Sequence, residues 1–135
     1  MTKIPIVNFS TIEVGKIKWW FTVMDKWNLE HHQHQLLAGL GEVAFVVTDV
    51  PLSIKGVWDE DGLVRNLAKE ETITDAPLVI SGSSKNWLLF IEGRFTSAGS
   101  ILTQRLSLQG SFTTGLKYAK GFDELARIAR NLKFS

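Results

Sequence analysis

Apolar positions recur at two different periods along this chain, three to four residues near its ends and two through its middle. From Ile17, the residues Ile17, Trp20, Phe21, Met24 and Trp27 follow helical steps and predict a helix with one buried face. Lys18, Thr22, Asp25 and Lys26 lie opposite, and Trp19 falls with them on the polar side. A second helical stretch is predicted over Leu29 to Leu40, with Gly39 or Gly41 as its cap. The middle reads as β. Val43 to Thr48 is almost continuously apolar, as in a strand covered on both faces. Leu52 to Lys55 alternates, Gly56 breaks the alternation as a bulge would, and Asp59-Glu60-Asp61-Gly62 forms a turn. Leu63 to Ala68 supplies a third strand of a meander, with Leu63 and Leu67 on one face. Leu78 and Ile80 carry a fourth strand, which stops at Ser81-Gly82.

Helical spacing then returns. Ser83 or Ser84 caps a helix holding Trp87, Leu88, Phe90 and Ile91 that ends at Gly93. Phe95 to Thr103 is ambiguous, with a short helix around Ile101 and Leu102 as one reading. Leu106 to Gly110 alternates as a fifth strand. Phe112, Leu116 and Ala119 form a helical stripe interrupted at Gly121. Asp123 is placed as the cap of a last helix, with Leu125, Ile128, Ala129 and Leu132 on one face and Arg127, Arg130 and Lys133 on the other. The segregation of strands and helices predicts an α+β fold: an open, mainly antiparallel five-stranded sheet with helices packed on one face.

The length of 135 residues fits one domain spanning 1–135, its N-terminal part (1–41) helical. The absence of cysteine excludes disulfide frameworks, thiolate catalysis and cysteine-ligated metal sites. A net charge of +1 gives no electrostatic footprint for nucleic acid. No apolar run approaches the roughly 20 residues that span a bilayer, and neither end reads as a secretory or peroxisomal signal. A cytoplasmic protein is expected. The charge is nonetheless polarised, with nine acids against four bases over residues 40–92 and five bases against two acids over 116–135.

Candidate chemistry is sparse. His31 and His34 share a helix face, with Glu30 one turn from His34, and this trio could bind zinc. The zincin spacing is absent, and the competing reading is a solvated helix end. Ser81-Gly82-Ser83-Ser84 reads as a strand end and helix cap, because every histidine lies in one short stretch far from it in sequence. Asp59, Glu60 and Asp61 read as a solvated turn. No phosphate-binding glycine loop occurs. Catalytic residues, metal and cofactor are therefore all assigned as none, and the protein is expected not to be an enzyme.

The apolar residues say more. Five Trp, eight Phe and a mean hydropathy of +0.05 exceed what a small two-layer core obviously needs. Without catalytic groups, such an excess suits a pocket that holds an apolar ligand by area, at about 25 cal/mol per Å² buried. Arg127, Arg130 and Lys133, on one helix face, and Trp19 among Lys16, Lys18, Trp20 and Lys26 form a candidate membrane or partner surface. The alternatives are a plain solvated face for the last helix and ordinary packing for Trp19.

From Val43 to Leu125 the order of elements resembles the sterol carrier protein type 2 family. The matching segments are Val43-Ala44-Phe45-Val46-Val47, Pro51-Leu52-Ser53-Ile54, Asp61-Gly62-Leu63-Val64 and Ala76-Pro77-Leu78-Val79-Ile80-Ser81-Gly82-Ser83. Glu92-Gly93-Arg94, Leu102 through Gly110, and Phe112 to Tyr118 complete it. Two departures stand out: Gly110-Ser111 where the family commonly has Gly-Asp, and Gln104-Arg105 where Gly-Lys often precedes the last strand. Gln104-Arg105 with Gly115-Leu116-Lys117-Tyr118 is more similar to the bacterial accessory branch associated with ubiquinone biosynthesis. The resemblance implies a non-enzymatic carrier or presenter of a sterol, fatty acyl or isoprenoid chain in an apolar tunnel. By position it implies Phe45, Val47, Leu52, Ile54, Trp87, Phe90, Ile91, Leu102, Leu106, Leu108, Leu116 and Phe122 as lining. The partners it implies are a lipid, transient membrane contact, and either protein partners of a larger lipid or quinone complex or a second copy of the chain.

Overall fold

A computed structural model of the chain describes residues 14–30, 33–69 and 76–132. Helix α1, Ile17–Leu29, forms where the helical stripe predicts, and ends as Glu30 turns extended. The chain does not continue as a second α-helix. The α1 carbonyl of Trp27 meets His34 Nε2 at 2.8 Å, and the Gln33 side-chain amide donates to the Glu30 carbonyl at 2.8 Å. These side chains take carbonyls that a longer helix would have used, and only a single 3-10 turn, His34–Leu37, follows.

The five strands are β1 (Gly41–Val47), β2 (Leu52–Trp58), β3 (Val64–Lys69), β4 (Leu78–Gly82) and β5 (Ser107–Gly110), in the order β3-β2-β1-β4-β5. All neighbours are antiparallel except β1 and β4, which run parallel. The β2–β3 register shifts between Lys55 and Val57, at the glycine that breaks the alternation. Cross-strand partners share a face, so the register Ile54–Phe45–Ile80–Leu108 draws one row across four strands. Val43, Val47, Leu52 and Leu78 flank that row, and all but the edge residue Leu108 are buried.

That face is covered by helices. Ser83 caps α2 (Ser84–Ile91), its hydroxyl accepting from the Asn86 amide, while Asp49 accepts from both the amide and the hydroxyl of Ser84 at 2.8 and 2.7 Å. The ambiguous stretch resolves as α3 (Ser97–Leu102), capped by Thr96. Helix α4 (Phe112–Lys117) leads into α5 (Ala119–Asn131).

Two features of α5 differ from the sequence reading. It runs through Gly121 without interruption, and Asp123 lies inside it, not at its cap. A Cβ at Gly121 would overlap Leu37 and lie 2.9 Å from the Leu36 carbonyl, so the glycine admits the 3-10 turn against the helix. Asp123 caps a different helix, accepting the Ser97 amide of α3 at 2.7 Å. Among the described residues no helix is long and apolar enough to cross a membrane.

Candidate functional site

Between α1, α2, α5 and the covered face of the sheet lies a cavity of about 40 Å³. Helix α1 contributes Trp19, Trp20, Val23 and Met24, and the sheet contributes Phe45 and Ile80. Trp87, Phe90 and Ile91 of α2 close one side, Leu125, Ala126 and Ala129 of α5 another, and Phe122, Ile101, Leu106 and Ser97 complete the wall.

The wall shows mostly carbon to the cavity, because the polar atoms of Trp20, Trp87 and Ser97 are used elsewhere. Trp20 Nε1 donates to the Val14 carbonyl at 2.7 Å, and Trp87 Nε1 donates to the Val46 carbonyl at 2.9 Å. Ser97 Oγ donates to the Ala119 carbonyl at 2.7 Å. The rings hold one another in place: Trp20 stacks on Phe45 at 5.6 Å and meets Trp87 edge-on at 5.1 Å, while Phe122 stands edge-on to Phe45 at 6.3 Å. Such pairs each add about 0.5–1.5 kcal/mol beyond burial.

Of the twelve positions expected to line a ligand site, Phe45, Trp87, Phe90, Ile91, Leu106 and Phe122 meet around this cavity. Val47, Leu52 and Ile54 are buried in the core away from it. Leu108 lies on the edge strand β5, half-buried and covered by Gly115 of α4. Leu102 and Leu116 do not line it: they are 64% and 39% exposed, on the outer sides of the short helices α3 and α4.

Trp19 is a correction of another kind. Assigned to a membrane or partner surface, with packing as the alternative, it is 3% exposed and lines the cavity. Helix α1 is wedged between the sheet and α5, so it buries a wider arc than a single-faced stripe allows. Trp20 faces Phe45, while Trp19, about 100° around the helix, meets the same cavity as Leu125 and Ala129. Trp20 and Met24 already belonged to the apolar stripe, and that stripe was the signal that α1 joins the wall. Leu125 and Ala129 likewise lay on the apolar stripe of the last helix, whereas Ile80, Ile101 and Ala126 carried no such signal, since small or isolated apolar residues read alike in core and cavity.

The basic face of α5 also divides. Arg127 is held by Glu124 at 3.0 Å and Glu30 at 3.1 Å, which raise its pKa above the ordinary arginine value. Arg130 is exposed and donates from Nη1 to the Ile91 carbonyl at 3.2 Å. Lys133, His31 and His32 lie outside the described residues. His34 is buried, its ring turned to the Trp27 carbonyl. Among the described residues no three His, Asp or Glu side chains gather as metal ligands would.

The fold has counterparts among solved structures. The chain matches "Crystal structure of sterol carrier protein 2" with a TM-score of 0.72 and 22% identity, covering 88% of this chain and 98% of that one. It matches a conserved protein from Thermus thermophilus, described as "possibly sterol carrier protein", with a TM-score of 0.79 and 19% identity over 96% of both chains. It also matches "UbiJ-SCP2 Ubiquinone synthesis protein" with a TM-score of 0.52 and 15% identity, covering 88% of this chain and 94% of that one. No protein-family model and no curated protein matches the chain.

Proposed function

Since the chain folds as sterol carrier protein 2 does, we propose that it binds one long apolar molecule, a sterol, fatty acyl or isoprenoid chain, and carries or presents it without catalysis. The observation that carries this reading is the cavity wall, where the Trp20 and Trp87 indoles and the Ser97 hydroxyl bond to backbone carbonyls and leave an almost wholly carbon lining. An apolar chain entering such a space needs no polar partner, and each buried methylene contributes about 0.8 kcal/mol.

The volume sets a condition. Ligand pockets usually hold ~300 Å³ or more, against about 40 Å³ here, so binding requires the α1, α2 and α5 side chains to part. The test is lipid extraction with mass spectrometry on the purified protein, together with displacement of a fluorescent fatty acid. Lipid is expected in both assays, and Ala129→Leu, which fills the cavity, is expected to abolish it. Protein that repeatedly carries no lipid and displaces no probe overturns the proposal.

A second reading, an accessory module of a larger lipid or quinone assembly, is favoured by one surface. Phe112 and Leu116 stand one turn apart on α4, 48% and 39% exposed. Pull-downs with Phe112→Ser/Leu116→Ser would lose partners under that reading and keep them under simple carriage.

A further inference from the structure

Beside the cavity lies a second, open cleft of about 220 Å³, lined by Phe90, Gly93, Phe95, Thr96, Asp123, Ala126 and Arg130. Phe90 and Ala126 belong to both walls, so one aromatic ring and one methyl group form part of the partition between the apolar interior and this cleft. Everything deeper than that partition is carbon-lined, whereas the cleft carries charge.

Arg130 is seated in a particular way. Its Nη1 donates to the Ile91 carbonyl at the end of α2, and Gly93, at φ +81°, leaves the guanidinium its room: a Cβ there would overlap Nη1. Any other residue would meet both that overlap and a left-handed backbone. One of five N–H groups is thereby used and four remain. Among the described residues, Arg130 has no carboxylate partner, in contrast to Arg127 with its two. Arg105 adds positive charge nearby, its guanidinium 4.0 Å over the ring of Phe95, which lines the cleft.

Asp123 supplies the opposing charge at the far end. It lies seven residues before Arg130 on α5, ~10 Å along the axis, and its Oδ1 accepts the Ser97 amide. One guanidinium in the lining, with a carboxylate two turns away, suits a monoanion better than a dianionic phosphate. The planar fork of arginine also matches a carboxylate with two parallel hydrogen bonds.

Building on the lipid-binding reading above, we propose that this cleft is the mouth of the site and that Arg130 anchors the carboxylate of a single-chain fatty acid, whose tail passes between Phe90 and Ala126 into the cavity. The ring of Phe90 turns aside as the tail enters.

The test compares three probes of one chain length, palmitate, hexadecanol and hexadecyl phosphate, on the full chain and on Arg130→Met, which keeps the apolar stem. Palmitate is expected to bind roughly 10- to 100-fold more weakly to the variant, the scale of a charge-assisted hydrogen bond. Hexadecanol binding is expected to stay unchanged, which also establishes that the variant is folded. Arg130→Lys is expected to recover part of the loss.

Three outcomes overturn the anchor while leaving the carrier reading intact. These are equal loss for palmitate and hexadecanol, palmitate binding indifferent to Arg130, and tighter, Arg130-dependent binding of hexadecyl phosphate. If the full chain binds none of the three, the anchor falls, and the carrier reading falls with it when lipid extraction also recovers no sterol or isoprenoid.

Discussion

The side-chain amide of Asn28 pairs with both backbone groups of Val64, accepting from its N–H at 2.9 Å and donating to its carbonyl at 2.9 Å. Val64 opens β3, an outer strand of the sheet, and its side chain is buried. The asparagine thus does for one residue what a further strand would do, and it ties the end of α1 to the sheet edge. Asn28→Ala leaves a donor and an acceptor without partners and is expected to cost about 2–3 kcal/mol, read as a lower urea midpoint at unchanged slope. Asn28→Asp keeps only the acceptor and should fall between.

Asp49 gives the stability a pH dependence. The Ser84 hydroxyl and then its amide hold the Asp49 carboxyl below the ordinary aspartate range. A carboxyl with a depressed folded-state pKa stabilises the fold above the unfolded value, ~3.9, and that contribution is lost as pH falls through the lower folded value. Asp49→Asn should therefore be less stable than the parent at pH 7, with the gap closing below about pH 4. A gap that stays constant down to pH 2 would show that the hydrogen bonds survive protonation.

Gly121 sets helix propensity against space. Alanine is worth about 1 kcal/mol more than glycine inside a helix, yet a Cβ here would overlap Leu37. Overpacking of this kind costs about 1–3 kcal/mol, so Gly121→Ala should lower the melting temperature, and Gly121→Val should lower it further. Calorimetry of the two variants decides the sign.

All five tryptophans are buried, none more than 5% exposed. Their emission should be blue-shifted and nearly insensitive to iodide. Trp19→Ala is expected to cost about 3–5 kcal/mol, as for a core indole, whereas Leu102→Ser should stay within about 0.5 kcal/mol. A neutral Trp19→Ala would return that residue to the surface where its helical spacing first placed it.

The limits of periodicity follow from such residues. Spacing along α1 identifies Trp20, Met24 and Trp27 because they face the nearest layer, the sheet. It misplaces Trp19 because α5, more than ninety residues away in sequence, covers a second side of the same helix. Capping is misread for a similar reason. Asp123 has the right chemistry for a helix cap, but the helix it caps is α3, brought alongside by the fold.

What the chain determines by itself is local: the five strands, the bulge at Gly56, the Ser83 cap and the apolar stripes arise from side-chain alternation and backbone freedom within a few residues. That is enough to fix the α+β class, and the resemblance in the order of elements adds six of the residues that meet at the cavity. The tertiary structure alone decides how large the cavity is, that among the described residues Arg130 is left without a carboxylate while Arg127 takes two, and that Phe90 and Ala126 stand between interior and cleft. Those outcomes depend on distances between segments far apart in sequence, and no periodicity within one segment encodes a distance to another.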